Sequence, residues 1–312
     1  MGSTREIKRV AIVGAGAVGG YYGARLAQSG MDVSFLLRSD YAHVRSHGLV
    51  VESVAGDFEL AEVQCAESAE AIGPVDCVMV AWKATSNRHY EKVIRPLLHA
   101  HSMILTLQNG LGNVEELGRI FGAERIFGGL CFVCINRVGP GRISHTASGL
   151  MRVGEYCPDG SGRLRYLVAL LRGGGIDCHA VENLEEAQWM KLVWNIPFNG
   201  LAIAEGGVDT RVLLEAPGVE TRIRRIMKEV QAVASALGYC IADVFLEKQM
   251  AMTRLMDAYR PSSMIDYVEG REVEVDAIWR EPLRRAQRLG VEVPEIEGLL
   301  AEIELRLEQR GN

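Results

Sequence analysis

The sequence predicts an α/β protein in which an N-terminal, Rossmann-type doubly wound sheet is followed by a C-terminal all-α domain. Three observations support this fold class. An apolar run of strand length leads into a glycine-rich turn near the start, strand-like and helix-like segments then alternate, and helical periodicity dominates the remainder. We expect the first domain to span residues 7–183 and the second to span residues 184–312.

The first predicted strand, Val10–Val13, leads into a glycine-rich turn. The turn consists of Gly14, Ala15, Gly16, Ala17, Val18 and Gly19. A strand, G-x-G-x-x-G spacing and a helix-like segment, in that order, are typical of a turn that binds a dinucleotide pyrophosphate. Gly14 would permit the tight turn, Gly16 would let the pyrophosphate approach the backbone, and Gly19 would let the helix pack close to the strand. A glycine turn without a ligand is the alternative.

The same domain contains further strand and helix candidates in alternation. The later strand candidates are Val33–Leu37, Cys77–Ala81, Met103–Leu107 and Ile126–Cys134, with shorter ones at 141–146 and 150–154. The helix candidates are Tyr21–Ser29, Tyr90–Leu98 and Arg163–Leu171. This alternation predicts a parallel sheet.

Helical patterns dominate after residue 183. Thr221–Leu237 has the periodicity of one long amphipathic helix that stops at Gly238. Near the C-terminus, an apolar stripe at helical spacing is formed by Ile296, Leu299, Leu300, Ile303 and Leu307. Because no low-complexity linker separates the domains, we expect them to pack closely, with a ligand cleft between them.

The composition limits the class of protein. Hydrophobic residues make up 48% of the 312 residues and charged residues 24%, as in soluble globular proteins. The net charge of -6 and the lack of a basic cluster argue against a nucleic-acid partner. No apolar run approaches the roughly 18 residues that cross a bilayer, and the N-terminus has no apolar signal core. We therefore expect a cytoplasmic protein without a membrane partner.

The cysteine pattern favours thiols over disulfides. Seven cysteines lie in apolar contexts, which suits a reducing compartment. Cys131 and Cys134 have C-x-x-C spacing, but in a strand-like segment residues three apart face opposite sides. No second pair completes a zinc site, so we interpret both as core thiols and expect no metal.

The end of the second strand indicates which dinucleotide binds. In such folds an acidic residue there accepts the ribose hydroxyl of NAD, whereas an arginine accepts the 2′-phosphate of NADP. The strand is followed by Arg38, and the nearest acid is Asp40. A guanidinium matches a phosphate with its planar set of donors, so Arg38 favours NADPH. NAD is the alternative, with Arg38 as an ordinary surface residue.

One predicted helix carries a narrow polar stripe. The segment 191–204 is almost wholly apolar, yet Lys191, Asn195 and Asn199 recur every four residues and share one helix face. Pro197 removes one backbone donor from this helix. A lysine and two amides on a buried helix must be paired or must line a wet cavity. The alternative is a solvent-exposed stripe, which the aromatic neighbours disfavour.

Polar residues also follow two predicted strands. Lys83 comes after the third strand, and Gln108-Asn109-Gly110 comes after the fourth. Ligands bind at the carboxyl ends of strands in open α/β sheets. Alone, however, Asn-Gly is as readily an ordinary turn, and Lys83 an ordinary surface lysine.

The last polar segment lies in the second domain. Ser262 and Ser263 follow a proline, where a serine also caps a helix. Glu272, Glu274 and Asp276 alternate with apolar residues, and the pattern does not choose a functional carboxylate among them.

Taken together, these residues resemble the ketopantoate reductase (2-dehydropantoate 2-reductase) family over nearly the full chain. The motifs that carry the resemblance are, in order, Gly14-Ala-Gly-Ala-Val-Gly19, Lys83, Gln108-Asn109-Gly110, Lys191-Leu-x-x-Asn195-x-x-x-Asn199, Ser262-Ser263-Met264 and Glu274-Val275-Asp276. The resemblance implies a Rossmann domain and a helical domain with the active site between them. It also implies NADPH-dependent reduction of ketopantoate to pantoate, a step in pantothenate and coenzyme A biosynthesis.

The resemblance implies a role for each matching residue. Lys191 would donate a proton to the keto oxygen as hydride arrives, which suits chemistry that builds negative charge there. Asn109 would hold the nicotinamide or the substrate, and Lys83 would lie near the cofactor and attract the anionic substrate. Asn195 and Asn199 would bind the hydroxyl and carboxylate end of the substrate.

The remaining two roles fall on the last polar segment. Ser263 would contact the substrate carboxylate. Glu274 would accept a hydrogen bond from the substrate hydroxyl and help to hold Lys191.

The chain departs from the family pattern in four places. Gly200 stands where the family often has proline, and Trp279-Arg280 stands where it often has Asn-Gly. The stretch from Ser263 to Glu274 is one residue shorter than expected, so Glu272 and Asp276 are alternatives to Glu274. Asp209 lies about where a further substrate-binding asparagine is expected.

These departures leave alternatives for the function. The first is a related NADP-dependent reductase of another 2-oxo acid. The second is a non-catalytic NADP-binding sensor, which the retention of Lys191 disfavours because binding alone needs no proton donor. The sequence is compatible with a monomer and with a homodimer.

Overall fold

The computed structural model describes residues 7–311, which divide into two compact units. Unit 1 comprises residues 7–108 and Asn113–Leu184. Unit 2 comprises Asn109–Gly112 and residues 185–311. The chain therefore crosses from one unit to the other after Gln108, after Gly112 and after Leu184.

Unit 1 is built around one mixed sheet. Within its described residues, the ten strands are β1 (Arg9–Val13), β2 (Asp32–Leu36), β3 (Leu49–Ser53), β4 (Phe58–Leu60), β5 (Gln64–Ala66), β6 (Val75–Val80), β7 (Leu98–Thr106), β8 (Ile126–Gly139), β9 (Arg142–Glu155) and β10 (Cys178–Ala180). Six of these are mutually parallel and lie in the order β5-β2-β1-β6-β7-β8. In chain order this is 3-2-1-4-5-6, the arrangement of doubly wound dinucleotide-binding sheets. The predicted fold class is confirmed.

The helices of unit 1 cover the faces of this sheet. They are α1 (Ala17–Gln28), α2 (Tyr41–His47), α3 (Ala69–Ile72), α4 (Tyr90–Ile94), α5 (Asn113–Phe121) and α6 (Arg163–Gly173). Tyr22 and Leu26, one turn apart on α1, are fully buried against core side chains of the strands such as Ile12 and Phe35. The predicted helix 90–98 is too long, because a 3-10 turn containing Pro96 follows α4 and leads into β7.

A long hairpin extends the sheet beyond the parallel strands. β8 and β9 are antiparallel, and β9 also pairs with β3 and β10. The two short strands predicted at 141–146 and 150–154 are one strand with an irregularity at Ser148, whose φ is 66°. Cys131 and Cys134 lie on β8, are half-buried and form no disulfide. Cys131 packs against the core of unit 1, but the core cluster does not include Cys134, so the interpretation as core thiols is correct for Cys131 only.

The regular secondary structure of unit 2, within its described residues, is entirely helical. Its helices are α7 (Leu184–Ala204, whose first residue is grouped with unit 1), α8 (Thr210–Glu215), α9 (Val219–Ala236), α10 (Asp243–Leu255), α11 (Ser262–Val268), a π-helical turn (Asp276–Arg280), α12 (Glu281–Leu289) and α13 (Pro294–Gly311). α9 and α13 are the amphipathic helices that the sequence predicts, and their apolar faces share one core with α7. α7 continues through Pro197. Among residues 7–311, no helix is both long and apolar enough to cross a membrane.

Candidate active site

The glycine turn between β1 and α1 shows the close backbone packing that its motif requires. Gly14 has a φ of 92°, and a Cβ there would lie 2.3 Å from the backbone nitrogen of Trp82. A Cβ on Gly19 would lie 2.4 Å from the carbonyl oxygen of Gly14, so its absence lets α1 pack tightly on the turn. A Cβ on Gly16 would meet no atom within 4 Å, and Gly16 is exposed.

The start of α1 is therefore open to a ligand at Gly16. The Gly20 N–H group donates to the Gly16 carbonyl oxygen over 2.9 Å, the first bond of the helix. The preceding N–H groups, those of Ala17, Val18 and Gly19, have no acceptor within the helix. These donors and the positive end of the helix dipole suit a phosphate, so the residues present fit a dinucleotide pyrophosphate. Ala15 completes the turn without adding a side chain that would obstruct it.

The segment after β6 lies beside this turn. The ring of Trp82 stacks on Tyr90 with centroids 5.7 Å apart, and its buried indole N–H has no acceptor among the described residues. Lys83 follows, at the start of a 3-10 helix. β6 and β1 are adjacent at the point where the strand order reverses, which is where such sheets bind ligands.

Arg38 and Asp40, at the end of β2, have contrasting surroundings. Arg38 is exposed, and its side chain makes no hydrogen bond or ion pair with residues 7–311. The Asp40 carboxylate is buried and accepts hydrogen bonds from the Arg137 guanidinium over 2.9 Å and from the Gly141 N–H over 3.3 Å. Asp40 is thus committed to the β8–β9 hairpin, whereas Arg38 is open to a ligand.

In unit 2, the Lys191 ammonium on α7 contacts Asn109. Lys191 Nζ donates to Asn109 Oδ1 over 2.8 Å. The segment of Asn109 is itself fixed against the π-helical turn. Leu111 N–H donates to the Ala277 carbonyl oxygen over 2.9 Å, and a Cβ on Gly110 would lie 2.3 Å from that oxygen. The Asn-Gly pair is therefore more than an ordinary turn, because it brings an amide oxygen to Lys191.

Asn195 and Asn199 follow Lys191 along α7 but differ in their contacts. Asn195 is 8% exposed, and its amide makes no hydrogen bond with the described residues. Asn199 is 2% exposed; its Nδ2 donates to the Asn195 carbonyl oxygen over 3.2 Å, and its Oδ1 accepts from the Ser263 N–H over 2.9 Å. The burial of both residues rules out a solvent-exposed stripe.

Ser263 lies in the first turn of α11. Its side chain is buried, and within residues 7–311 its hydroxyl makes no hydrogen bond. The Asn199 amide oxygen caps the N-terminus of this helix through the Ser263 N–H, so Asn199 fixes the position of Ser263. The hydroxyl is then available to a ligand.

Burial distinguishes the three candidate acids. Glu274 is buried, and its carbonyl oxygen accepts from the Ile278 N–H over 3.2 Å where the π-helical turn begins. Glu272 is exposed. Asp276 is exposed and forms an ion pair with Arg284 at 2.9 Å. A ligand in a buried site would therefore meet Glu274 rather than Glu272 or Asp276.

Sequence reasoning missed an amide network at the end of β7, in unit 1. Gln108 Oε1 accepts from the hydroxyls of Tyr90 and Thr106, and Gln108 Nε2 donates to Asn87 Oδ1 over 2.8 Å. Asn87 Nδ2 in turn donates to Asn113 over 2.8 Å. These bonds fix Gln108, the residue that precedes Asn109. The partners are dispersed along the chain, so no spacing revealed them.

A group of arginines surrounds Glu281 at the start of α12. Its carboxylate lies 2.9 Å from Arg284, 3.1 Å from Arg285 and 3.0 Å from Arg288. Burial alone would raise the pKa of Glu281, but hydrogen bonds from these arginines hold it below its ordinary value. Arg285 also binds Glu185, over 2.7 Å.

Burial disfavours the thiolate form of two cysteines, Cys77 and Cys178. Burial raises the pKa of the Cys77 thiol and of the Cys178 thiol to about 12. Within residues 7–311, no group of three or more His, Cys, Asp or Glu residues is arranged to hold a metal ion.

The sheet order, the glycine turn and the lysine with its amides define a class of protein: a dinucleotide-dependent oxidoreductase with a helical second unit. Comparison with known proteins identifies the family. The profile of ketopantoate reductase PanE/ApbA matches residues 10–158, and that of its C-terminal domain matches residues 183–306. The chain belongs to the ketopantoate reductase family, which confirms the resemblance noted in the sequence.

Individual relatives agree with this assignment. A 2-dehydropantoate 2-reductase from Nostoc sp. is 40% identical over 294 residues, which cover 93% of this chain and 92% of the relative. The crystal structure of a 2-dehydropantoate 2-reductase from Geobacter metallireducens has a TM-score of 0.93 and 45% identity, covering 95% of this chain and 99% of that one. The reductase family and the glycine turn together support a nicotinamide dinucleotide as the cofactor.

A second solved structure shares the fold alone. D-mandelate dehydrogenase in a ternary structure with NADH and anilino(oxo)acetate has a TM-score of 0.89 at 21% identity, covering 97% of this chain and 99% of that one.

Proposed function

We propose that this protein reduces 2-dehydropantoate to pantoate with NADPH, as its relatives' names state for them. The observation that carries the proposal is the Lys191 ammonium, 2.8 Å from Asn109 Oδ1 and one helical turn from the buried Asn195 amide, which makes no hydrogen bond within residues 7–311. A cation and polar groups placed together on a largely buried helix suit a carbonyl compound that also carries a carboxylate.

The residues of unit 1 would hold the cofactor. The turn Gly14–Gly19 would bind the pyrophosphate, Arg38 the 2′-phosphate, and Lys83 would lie near the nicotinamide end. When bound, NADPH supplies the hydride for the carbonyl carbon. Two observations support this assignment: a ligand can approach the backbone at Gly16, and the guanidinium of Arg38 has no partner in the part of the chain that the structure describes.

The residues of unit 2 would act on the substrate. Lys191 Nζ has three N–H bonds, and its bond to Asn109 uses one, which orients the ammonium. Lys191 would stabilise the developing charge on the keto oxygen and donate a proton to it. The Asn195 amide and the Ser263 hydroxyl would bind the polar end of the substrate. Glu274 would accept a hydrogen bond from the substrate hydroxyl.

Asn199 has a different role in this proposal from the one implied by the resemblance. Both polar atoms of its side-chain amide, Nδ2 and Oδ1, bind backbone atoms of unit 2, and the residue is 2% exposed. We assign it to holding Ser263 rather than to touching the substrate. A supporting amide of this kind fixes the position of binding groups at little entropic cost when the substrate arrives.

The test is an assay of purified protein with NADPH and 2-dehydropantoate. Oxidation of NADPH is followed by absorbance, and pantoate is identified by mass spectrometry. We expect stoichiometric pantoate. A chain that binds NADPH tightly but reduces neither 2-dehydropantoate nor any other 2-oxo acid would instead be a cofactor sensor.

A second candidate is reduction of a different 2-oxo acid. Its support is D-mandelate dehydrogenase, a protein of the same fold whose ternary structure contains NADH and anilino(oxo)acetate, a carboxylate with an adjacent carbonyl group. The same assay with a panel of aliphatic and aromatic 2-oxo acids separates the candidates by kcat/KM. The 2-dehydropantoate assignment fails if another acid of the panel is clearly the better substrate.

A further inference from the structure

Two departures from the family pattern occupy the same place in unit 2. A Cβ on Gly200 would lie 2.9 Å from the indole nitrogen of Trp279 and 2.6 Å from Leu299 Cδ2. Trp279 is completely buried. The space that any side chain at position 200 would require is therefore filled by the indole of Trp279 and by Leu299. The absence of a side chain at Gly200 and the large indole of Trp279 therefore depend on each other, and we expect the replacement of either residue alone to disturb the packing.

The indole of Trp279 does more than fill space. Its Nε1 donates to the Ile196 carbonyl oxygen over 3.1 Å, in a buried setting. Ile196 follows Asn195 directly in α7, and Pro197 follows Ile196. Because Pro197 has no N–H, the regular backbone bond of that residue is missing from this part of α7. The acceptor that this missing bond would have had is the Val193 carbonyl oxygen, so the indole does not replace the bond; it adds a tie, at Ile196, to the same stretch of the helix.

Trp279 also lies close to Glu274 along the chain. It is part of the π-helical turn Asp276–Arg280, which starts two residues after Glu274. An extra residue in a helical turn shifts the direction in which the following side chains point, and such turns are frequent at functional sites. Here the side chain of Trp279 points at α7. It therefore connects the backbone next to Asn195 with the π-helical turn that follows Glu274.

We propose that Trp279 is a positioning residue, which holds the Asn195 turn of α7 and the Glu274 segment in register for the 2-oxo acid substrate. This inference rests on the proposed function for its kinetic readout. It differs from a purely structural role, because its effect falls on substrate binding more than on cofactor binding or on stability.

The test compares two tryptophan variants of the full-length protein. Trp279→Phe removes the indole donor and keeps an aromatic ring. We expect KM for the 2-oxo acid to rise about tenfold, which is the net effect of one buried hydrogen bond. We expect kcat to fall less than KM rises, and the Kd of NADPH to stay within about twofold, because the cofactor residues belong to unit 1.

Trp189→Phe is the matched control. Trp189 is also a buried tryptophan, but it lies on α7 itself, and its indole nitrogen has no hydrogen-bond partner among the described residues. This variant should lower the melting temperature by a similar amount while KM stays near the wild-type value. If Trp189→Phe raises KM as much as Trp279→Phe does, or if neither variant raises it, the positioning role is wrong.

A further variant tests the pairing with Gly200. Gly200→Ala should displace the indole and raise KM in the same direction. Combined with Trp279→Phe, it should add less than its separate effect, because both changes break the same bond. Strict additivity of the two effects would contradict the pairing.

Backbone hydrogen exchange provides a readout without turnover. We expect residues 195–200 to exchange faster in Trp279→Phe than in Trp189→Phe. If the wild-type protein reduced no 2-oxo acid, the proposed function would fail, whereas this difference in exchange would still support the tie to α7. Equal exchange in the two variants would overturn the inference whatever the activity.

Discussion

The ammonium group of Lys191 illustrates how much one residue depends on a distant part of the chain. One hydrogen-bond partner of this group, Asn109, lies 82 positions earlier and is fixed by contacts of Gly110 and Leu111 with Ala277. Loss of the ammonium would remove the proposed proton donor and a cation together, while the contacts of Gly110 and Leu111 with Ala277 involve no charge.

We therefore expect Lys191→Ala to lower kcat by at least about a hundredfold, the usual contribution of a positioned acid. The Kd of NADPH, measured by fluorescence titration, should stay within about twofold. Lys248→Ala, at an exposed lysine of α10, is the control and should leave both unchanged. A near-normal kcat for Lys191→Ala would remove the proposed proton donor.

Arg38 supplies a prediction about the cofactor. Its exposed guanidinium has no partner in the described chain, so its removal should cost little stability. Arg38→Ala should weaken NADPH binding by about tenfold or more and leave NADH binding nearly unchanged, because only NADPH carries the 2′-phosphate. Arg119→Ala, at an exposed arginine of α5, is the control. Equal losses for the two dinucleotides would argue against NADPH specificity.

For individual residues, the sequence identifies the candidates better than it identifies their roles. The four-residue spacing of Lys191, Asn195 and Asn199 is readable because the helix period is fixed. The role of Asn199 is not readable, because its partner, the Ser263 N–H, is a backbone group 64 positions away. The same holds for the choice of Glu274, which only burial distinguishes from Glu272.

Among the elements, the turn from β1 into α1 permits a paired experiment. Gly19→Ala places a methyl group 2.4 Å from the Gly14 carbonyl oxygen, a backbone atom that cannot turn aside. We expect a loss of about 1–3 kcal/mol in the free energy of unfolding. Gly16→Ala meets no protein atom, so it should keep the stability but weaken dinucleotide binding. The opposite pattern in thermal unfolding and binding titrations would contradict the fit of this turn to a pyrophosphate.

The carboxylate of Glu281, at the start of α12, makes the free energy of unfolding depend on pH. The pKa of Glu281 is lowered in the folded protein from an ordinary value of 4.5, so its stabilising effect is complete above that value. It is lost as the pH falls through the lowered, folded-state pKa. Glu281→Gln should therefore reduce the free energy of unfolding at pH 7 by about 1–2 kcal/mol, a modest figure because solvent reaches two of its arginines.

The same comparison at acidic pH tests whether the charge of Glu281 causes this loss of stability. In denaturant titrations near pH 3, the difference between wild type and Glu281→Gln should become smaller than at pH 7. A difference that is the same at both values would mean that the carboxylate charge contributes nothing.

Elements with a strong local signal were predictable, and those formed by distant pairing were not. β1, β2, α9 and α13 follow from apolar runs or clear periodicity in the sequence. β3, β4 and β5 are short, and β3 pairs with β9, about ninety positions further along the chain. The π-helical turn has no sequence signature at all, because its period depends on packing around Ala277 and Trp279.

For the molecule as a whole, each unit has its own apolar core, and the segment Asn109–Gly112 belongs with the second. Ile303→Ala, at a fully buried position of α13, should destabilise unit 2 by about 2–5 kcal/mol. We expect the Leu111 amide to exchange faster in this variant together with the amides of α7, while Ile104 and Leu105 of β7 keep their protection.

Leu167→Ala, at a fully buried position of α6 in unit 1, is the matched control. It should leave the exchange of Leu111 unchanged, because the acceptor of that amide, Ala277, belongs to unit 2. If the protection of Leu111 follows β7 in both variants, its bond to Ala277 does not determine the stability of the segment.

The triple crossing of the chain has a consequence for recombination. A chimera that joins two homologues at residue 184 takes Lys191 from one parent and Asn109 from the other, although these two side chains are direct partners. Gly110 and Ala277 would likewise come from different parents, although their backbones approach too closely for a side chain at position 110. An exchange of substrate preference between relatives therefore requires two transplanted pieces, of which the smaller is only the segment Asn109–Gly112.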